Sequence, residues 1–175
     1  MAKLLKVKPY EQMDNMDSCG PTCLRIILEY WGIKVSEMEL IKRCKTIPGF
    51  GSKTKDIVKA AEYYGMKGFY KNFSSFSEIK KWLDKKIPVI VDWFSGGPEK
   101  ESAKYAPDGH YSVVVGLDKN KIYLAETETG KIYSLKRSAF LRVWFDFEGE
   151  WVTTWKNMMV RQIIVIYPKK LPKRK

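Results

Sequence analysis

One stretch of the chain, DSCGPTCL at residues 17–24, places a thiol at the start of an amphipathic helix. From Leu24 to Trp31 apolar residues recur at positions i, i+3, i+4 and i+7, and Gly32 ends the pattern. The spacing predicts a helix that begins at Cys19 and buries one face. The first N–H groups of a helix have no partner within it, and the positive end of its dipole favours an anion. This position favours the thiolate form of Cys19, as a nucleophile requires.

The chain has a single histidine, His110, so the choice of an imidazole base for that thiol is forced. The run YSVVVG at residues 111–116 is rich in β-branched residues and ends in glycine, which predicts a strand that starts next to His110. A cysteine on a helix N-terminus and a histidine on a strand are the two groups that thiol catalysis needs. Taken singly, each is more often structural, so the interpretation depends on both contexts together.

Composition indicates one domain over residues 1–175, because the chain is 45% hydrophobic and 14% aromatic. The net charge is +12, and five of the cations lie in a basic tail at residues 169–175. Elsewhere the cations alternate with acids along the helices, which is typical of a solvated surface. With neither a recognition helix nor an aromatic RNA-binding motif, nucleic acid is not an expected partner.

Three cysteines with no CxxC pair, together with one histidine, predict neither a disulfide framework nor a zinc site. No cofactor or metal is therefore expected. The N-terminal residues lack the apolar core of a signal peptide, and no run approaches the length of a membrane span. We expect a soluble protein in the reducing cytoplasm, and the sequence does not indicate its oligomeric state.

The first half of the chain is mainly helical. A capping box opening at Ser36 predicts a second helix to about Cys44, where the thiol is expected to be packed. Thr54 is predicted to cap a third helix that ends before Gly65. A strand at residues 66–71 precedes a fourth helix.

The second half is mainly β. Strands are predicted at residues 87–94, 111–115, 121–125, 131–135 and 160–167. Asp118 is assigned to a turn, and the loop at residues 95–109 delivers His110. Trp93 and Trp151 are candidates for lining a substrate cleft.

Gln12, the run at residues 17–24 and the run GHYSVVVG at residues 109–116 together resemble the papain-like C39 peptidases and their stand-alone C39-like relatives. The resemblance extends over about residues 7–168. It implies an α+β, papain-like fold in which an N-terminal helical half packs on a C-terminal antiparallel β-sheet. It also implies that Cys19 is the nucleophile, that His110 is its base, and that Gln12 and the Cys19 N–H form the oxyanion hole. An acidic or amide residue one strand later orients the histidine, and Glu126 has that place here.

The chain departs from the family pattern at two points. Six residues separate Gln12 from Cys19, whereas the family usually has five, so either a bulge absorbs the extra residue or Asn15 or backbone donors replace Gln12. Glu126 and Thr127 stand where similar proteins usually carry Asp-Pro, and a glutamate can still accept the imidazole N–H.

The resemblance implies a cysteine peptidase that forms an acyl-enzyme and cleaves a peptide or protein, such as a leader peptide of the double-glycine type, in association with a separate transporter. Two alternatives stay open: an acyltransferase of the same fold, and a non-catalytic peptide-binding domain with a degenerate triad. An enzyme predicts a reactive Cys19 and a bell-shaped pH profile, whereas a binding domain predicts affinity that survives Cys19→Ala.

Overall fold

The computed structural model describes residues 3–14, 16–95, 108–147 and 155–171. Its helices are α1 (Cys19–Tyr30), α2 (Glu37–Arg43), α3 (Thr54–Tyr63), α4 (Phe76–Asp84) and α5 (Arg137–Val143). Its strands are β1 (Met66–Lys71), β2 (Val89–Ser95), β3 (Asp108–Leu117), β4 (Lys121–Glu126), β5 (Lys131–Lys136), β6 (Phe145–Phe147), β7 (Met158–Val160) and β8 (Ile163–Pro168). The predicted loop at residues 95–109 falls largely outside these ranges.

Six strands form one antiparallel sheet in the order β1-β8-β2-β3-β4-β5. Strands β2 to β5 follow one another as a meander, as their spacing predicts. The last strand, β8, returns to the middle of the sheet and pairs with both β1 and β2. The α+β class with an antiparallel sheet is thereby confirmed.

Both faces of the sheet are covered by helices. In β8, Ile163 and Val165 belong to one core cluster, whereas Ile164 and Ile166 belong to the other. Helices α1, α2 and α3 contribute to the second cluster, and α4 and α5 contribute to the first. A central strand with two buried faces has no polar side, which explains its nearly continuous apolar sequence. The predicted helical layer therefore comprises three helices, and α4 lies on the opposite face of the sheet.

Thr54 does not have the capping role that the sequence predicts. The residue before α3 is Lys53, and the N-terminus of this helix carries no side-chain cap hydrogen bond. The hydroxyl of Thr54 instead bonds the Tyr111 hydroxyl at 2.7 Å and Oε1 of Gln162 at 2.6 Å. These buried polar groups need partners more than an exposed helix end does, so Thr54 links α3 to the sheet.

The single strand predicted at residues 160–167 is divided. Arg161 has a φ of 51°, and this left-handed residue separates β7 from β8. Strand β7 pairs with β6 in a second, two-stranded sheet that the sequence analysis did not anticipate. The turn assigned to Asp118 is confirmed, since its Oδ1 accepts the N–H groups of Asn120 and Lys121.

The three cysteines are free and buried. Within the described ranges, no helix is both long enough and apolar enough to cross a membrane.

Candidate active site

Cys19 is the first residue of α1 and is 9% exposed. Pro21 is tolerated in the first turn because the N–H groups there have no intrahelical acceptor. Gly20 permits a close approach: a Cβ at this position would lie 2.8 Å from the Ile57 side chain and 3.4 Å from the Tyr111 ring. A larger residue would therefore have to displace the end of the Ile57 side chain.

His110 lies on β3, directly opposite Trp93 of β2. The two rings meet edge to face, with centroids 6.0 Å apart and planes at 74°. On the other side, His110 Nε2 is 2.5 Å from Oε1 of Glu126, the last residue of β4. The two strands that flank β3 thus hold the imidazole between an aromatic ring and a carboxylate.

Both carboxylate oxygens of Glu126 have donors in addition to the imidazole. Ser112 donates its hydroxyl to Oε2 at 2.9 Å, and the N–H of Thr127 donates to Oε1 at 2.7 Å. Ser112 in turn accepts the indole N–H of Trp93 at 2.9 Å. Because Glu126 is only 8% exposed, its charged carboxylate has lost most of its hydration, and these hydrogen bonds replace that loss. They also fix the carboxylate against His110.

Charge on Cys19 and Glu126 controls the protonation of the histidine. Burial lowers the pKa of His110, but the hydrogen bonds and charges of Cys19 and Glu126 outweigh burial and raise this pKa well above its ordinary value. Burial raises the pKa of Glu126, yet His110 and then Ser112 bring it below its ordinary value. The arrangement stabilises an imidazolium beside the Glu126 carboxylate. Cys19 and His110, which are distant in sequence, are close enough in the fold for Cys19 to contribute to the raised pKa of the histidine.

Gln12 reaches the same site through Thr127, the residue after Glu126. The backbone N–H of Gln12 donates to the Thr127 carbonyl at 2.7 Å, and the Thr127 hydroxyl donates to Gln12 Oε1 at 3.0 Å. That hydroxyl is also 3.4 Å from His110 Nε2. Thr127, which the sequence analysis noted only as a departure from the family pattern, therefore contacts Gln12, His110 and Glu126.

Two other residues named as candidates, Asn15 and Trp151, lie outside the described residues. Trp93, the other tryptophan proposed for a cleft, contacts His110 and so lies at the site.

A buried acidic side chain that the sequence analysis did not single out lies close to Cys19. Asp92 of β2 is completely buried, pairs across the sheet with Tyr111, and accepts no hydrogen bond from a conventional donor among the described side chains. Burial, and next the charge of Asp146, raise the pKa of Asp92 well above its ordinary value. The signal in the sequence was an acid in the middle of an apolar strand.

The side chain of Asp146 also presses against β3 beside the histidine. A Cβ at Gly109 would lie 2.0 Å from its Oδ2, so only glycine fits directly before His110. Within the described parts of the chain, no group of three or more His, Cys, Asp or Glu side chains is arranged to hold a metal ion.

A cysteine at a helix N-terminus that meets a histidine on an antiparallel sheet, with a carboxylate on the next strand, has the architecture of the papain-like cysteine peptidases. The chain matches the model of the Peptidase_C39 like family over residues 4–151 and belongs to that family. A comparison with curated protein sequences gave no match.

Solved structures with the same fold include a putative C39-like peptidase from Bacillus anthracis, with a TM-score of 0.71 and 19% identity over 98% of this chain and 100% of that chain. The peptidase domain of Streptococcus ComA, a bi-functional ABC transporter involved in a quorum sensing pathway, has a TM-score of 0.67 and 21% identity over 93% and 98%. A double glycine motif protease from an AMS/PCAT transporter, in complex with the leader peptide, has a TM-score of 0.66 and 20% identity over 95% and 94%. At these identities the likenesses establish the fold.

Proposed function

We propose that the protein is a cysteine peptidase in which Cys19 attacks a peptide bond and His110 transfers the proton. The observation that carries this proposal is the placement of His110 between the Cys19 thiol and the Glu126 carboxylate. The family of the chain supports the same reaction class.

The imidazole nitrogen that bonds Glu126 determines which nitrogen is left to accept the thiol proton. Glu126 occupies Nε2, so Nδ1 takes the thiol proton. The Cys19 thiolate attacks the scissile carbonyl carbon, and the imidazolium of His110 then gives its proton to the departing amine. The resulting thioester is hydrolysed by a water molecule that His110 deprotonates. Glu126 keeps the ring in one orientation and stabilises its charged form.

Gln12 and the backbone N–H of Cys19 are the proposed donors to the oxyanion. Thr127 supports this role because its hydroxyl engages the carbonyl end of the Gln12 carboxamide, which leaves the NH₂ end to face the substrate. The backbone bond between Gln12 and Thr127 holds the segment in register with β4.

The proposed substrate is a peptide or protein cleaved after two small residues, such as a double-glycine leader. This specificity is supported by the structural likeness to a double glycine motif protease. Association with a separate transporter is proposed on the same basis, since two of the structural relatives are transporter domains. A single domain over residues 1–175 and a cytoplasmic location remain predictions of the sequence.

Alkylation of the native protein tests the thiol chemistry without knowledge of the substrate. Cys23 and Cys44 serve as internal controls, because burial raises the pKa of Cys23 well above its ordinary value and that of Cys44 to about 12. With iodoacetamide at neutral pH and mass mapping, we expect Cys19 alone to be labelled, and His110→Gln to slow that labelling. Equal or negligible labelling of all three thiols would favour a non-catalytic peptide-binding domain.

A fluorogenic peptide amide ending in Gly-Gly tests the specificity. Release of the fluorophore that stops in Cys19→Ala supports the peptidase, and a product found only on an added amine would identify an acyltransferase. Labelling of Cys19 without turnover of this peptide would reject the double-glycine assignment while retaining the thiol chemistry.

A further inference from the structure

Glu37, the first residue of α2, is a buried carboxylate outside the proposed catalytic set. It is 5% exposed, although carboxylates at the start of a short surface helix are usually solvated. Its Oε1 accepts the backbone N–H of Met13 at 2.8 Å and the hydroxyl of Ser18 at 2.7 Å. One oxygen atom of α2 therefore binds two separate points of the segment that leads into α1.

Each of those two points is the chain neighbour of one proposed oxyanion donor. Met13 follows Gln12 directly, and Ser18 precedes Cys19 directly. The segment between Gln12 and Cys19 has six residues, so its length alone does not determine how far apart the two donors lie. A shared acceptor at both ends of the segment sets that separation.

The negative charge of Glu37 is compensated from α1. Arg25 places its guanidinium 3.5 Å from Glu37 Oε2 and 3.8 Å from the centre of the Tyr10 ring. Hydrogen bonds to an ionised acceptor are stronger than neutral ones, and removing the acceptor would leave the Ser18 hydroxyl buried without a partner. Ser18 is completely buried, so water cannot readily replace the lost oxygen.

We propose that Glu37 is a positioning residue that sets the geometry of the oxyanion hole by fixing both ends of the segment between Gln12 and Cys19. This inference rests on the proposed function. Glu37 acts through Met13 and Ser18 and does not touch the substrate. The proposed base His110 is held separately by the sheet, so the effect of Glu37 falls on oxyanion stabilisation more than on the alkylation of the thiol.

Two probes separate these effects. A peptidyl-Gly-glycinal adds the Cys19 thiol across its aldehyde, and the hemithioacetal oxygen then occupies the oxyanion hole, whereas iodoacetamide is displaced by the thiolate without forming an oxyanion. Amide hydrogen exchange at Met13, followed by NMR, reports the Glu37 contact without any ligand. In Glu37→Ala we expect exchange at Met13 to be faster, glycinal inhibition to weaken about tenfold or more, and alkylation of Cys19 to change less than about twofold.

The matched variants keep the test informative. Glu37→Gln retains an oxygen that can accept both bonds, so glycinal inhibition should recover to within about threefold of the wild type. Glu39→Ala, on the same helix, removes an exposed acid paired with Arg43 and should change neither probe. Ser18→Ala removes one of the two bonds and is the milder variant if Glu37→Ala does not fold.

If the amide of Met13 exchanges at an unchanged rate in Glu37→Ala, the inference about Glu37 is overturned and the proposed function is not. The same holds if Glu37→Ala and Ser18→Ala both retain glycinal inhibition. Equal loss of glycinal inhibition and alkylation assigns Glu37 to general folding and also overturns it. A wild-type protein whose Cys19 is not alkylated overturns the proposed function, and this inference with it.

Discussion

The two halves of the candidate site are held in different ways. His110 lies within a sheet, between β2 and β4, and its partner Glu126 is held by Ser112 and by the backbone of Thr127. Cys19 and Gln12 are held mainly by contacts to the side chains of Glu37 and Thr127, which belong to neighbouring parts of the fold. The orientation of His110, the proposed base, is therefore built into the strand ladder, whereas the proposed oxyanion donors depend on a few individual hydrogen bonds.

This difference has an energetic consequence. A ladder distributes its stability over many backbone hydrogen bonds, so one substitution on it changes chemistry more than geometry. A segment held by side chains loses its geometry when one of them is removed. Substitutions around His110 and Glu126 should therefore change activity through charge and its dependence on pH. Substitutions that affect how Gln12 and Cys19 are held should change activity by moving these residues.

The largest effect is expected for His110→Gln. Removing the general base should lower kcat/KM for the Gly-Gly peptide by about 10²–10⁴-fold, while the glutamine amide can still bond Glu126 and keep the fold. The measurement is steady-state kinetics together with the melting temperature. A loss below about tenfold would show that His110 is not the base.

Glu126→Gln should lower kcat less, by about ten- to a hundredfold, and should also change the pH profile. Glu126 helps to raise the pKa of His110, so the alkaline limb of kcat/KM should move to lower pH when this charge is removed. Ser112→Ala keeps the charge and serves as the control, with a smaller displacement of the limb. An unmoved limb in Glu126→Gln would contradict the charge role of Glu126.

The same charges also make stability depend on pH. Because the folded pKa of His110 lies above its ordinary value of 6.5, its stabilising contribution is complete below that pH and is lost as pH rises through the raised value. The lowered pKa of Glu126 adds stability above its ordinary value of 4.5, and this part is lost on acidification.

Thr127→Val tests how Gln12 is held in the site, with a nearly isosteric change. Without the hydroxyl, the Gln12 carboxamide loses its hydrogen bond, so kcat should fall about tenfold with little change in KM. Thr22→Val is the matched control, since the buried Thr22 hydroxyl has no hydrogen-bond partner among the described residues and its loss should leave kcat unchanged. Equal kinetics for the two variants would remove Thr127 from the positioning of Gln12.

The smallest expected effect is that of Asp92→Asn, which should change stability. The folded pKa of Asp92 is raised above 3.8, so the stability linked to its protonated form is complete below that pH and is lost as pH rises through the raised value. The amide cannot ionise, so the variant should gain on the order of 1 kcal/mol, or about 2–4 °C in Tm, at about pH 9 relative to about pH 5. Asp84→Asn, an exposed acid paired with Lys80, should show no such difference. A difference of the same size in both variants would exclude a special role for the buried acid.

Much of the site was predictable because its two central residues carry local signals. Cys19 opens a helix whose apolar spacing is visible in the sequence, and His110 is the only imidazole, next to a β-branched run. Glu126 and Gln12 were predictable only through the family resemblance. Thr54 was assigned to a helix cap because a threonine before an apolar pattern favours that role, but buried partners on β3 and before β8 compete for its hydroxyl.

By itself, the sequence determined most of the elements, the candidate pair Cys19 and His110 and the α+β class, because hydrophobic periodicity and capping act over a few neighbouring residues. Only the tertiary structure decided that α4 crosses to the opposite face of the sheet, that Thr127 holds Gln12, and that Glu37 binds both ends of the segment before α1. Each of these depends on contacts between residues that are distant in the chain, and hydrogen-bond partners in a buried interior are chosen by proximity after folding, which no local pattern encodes.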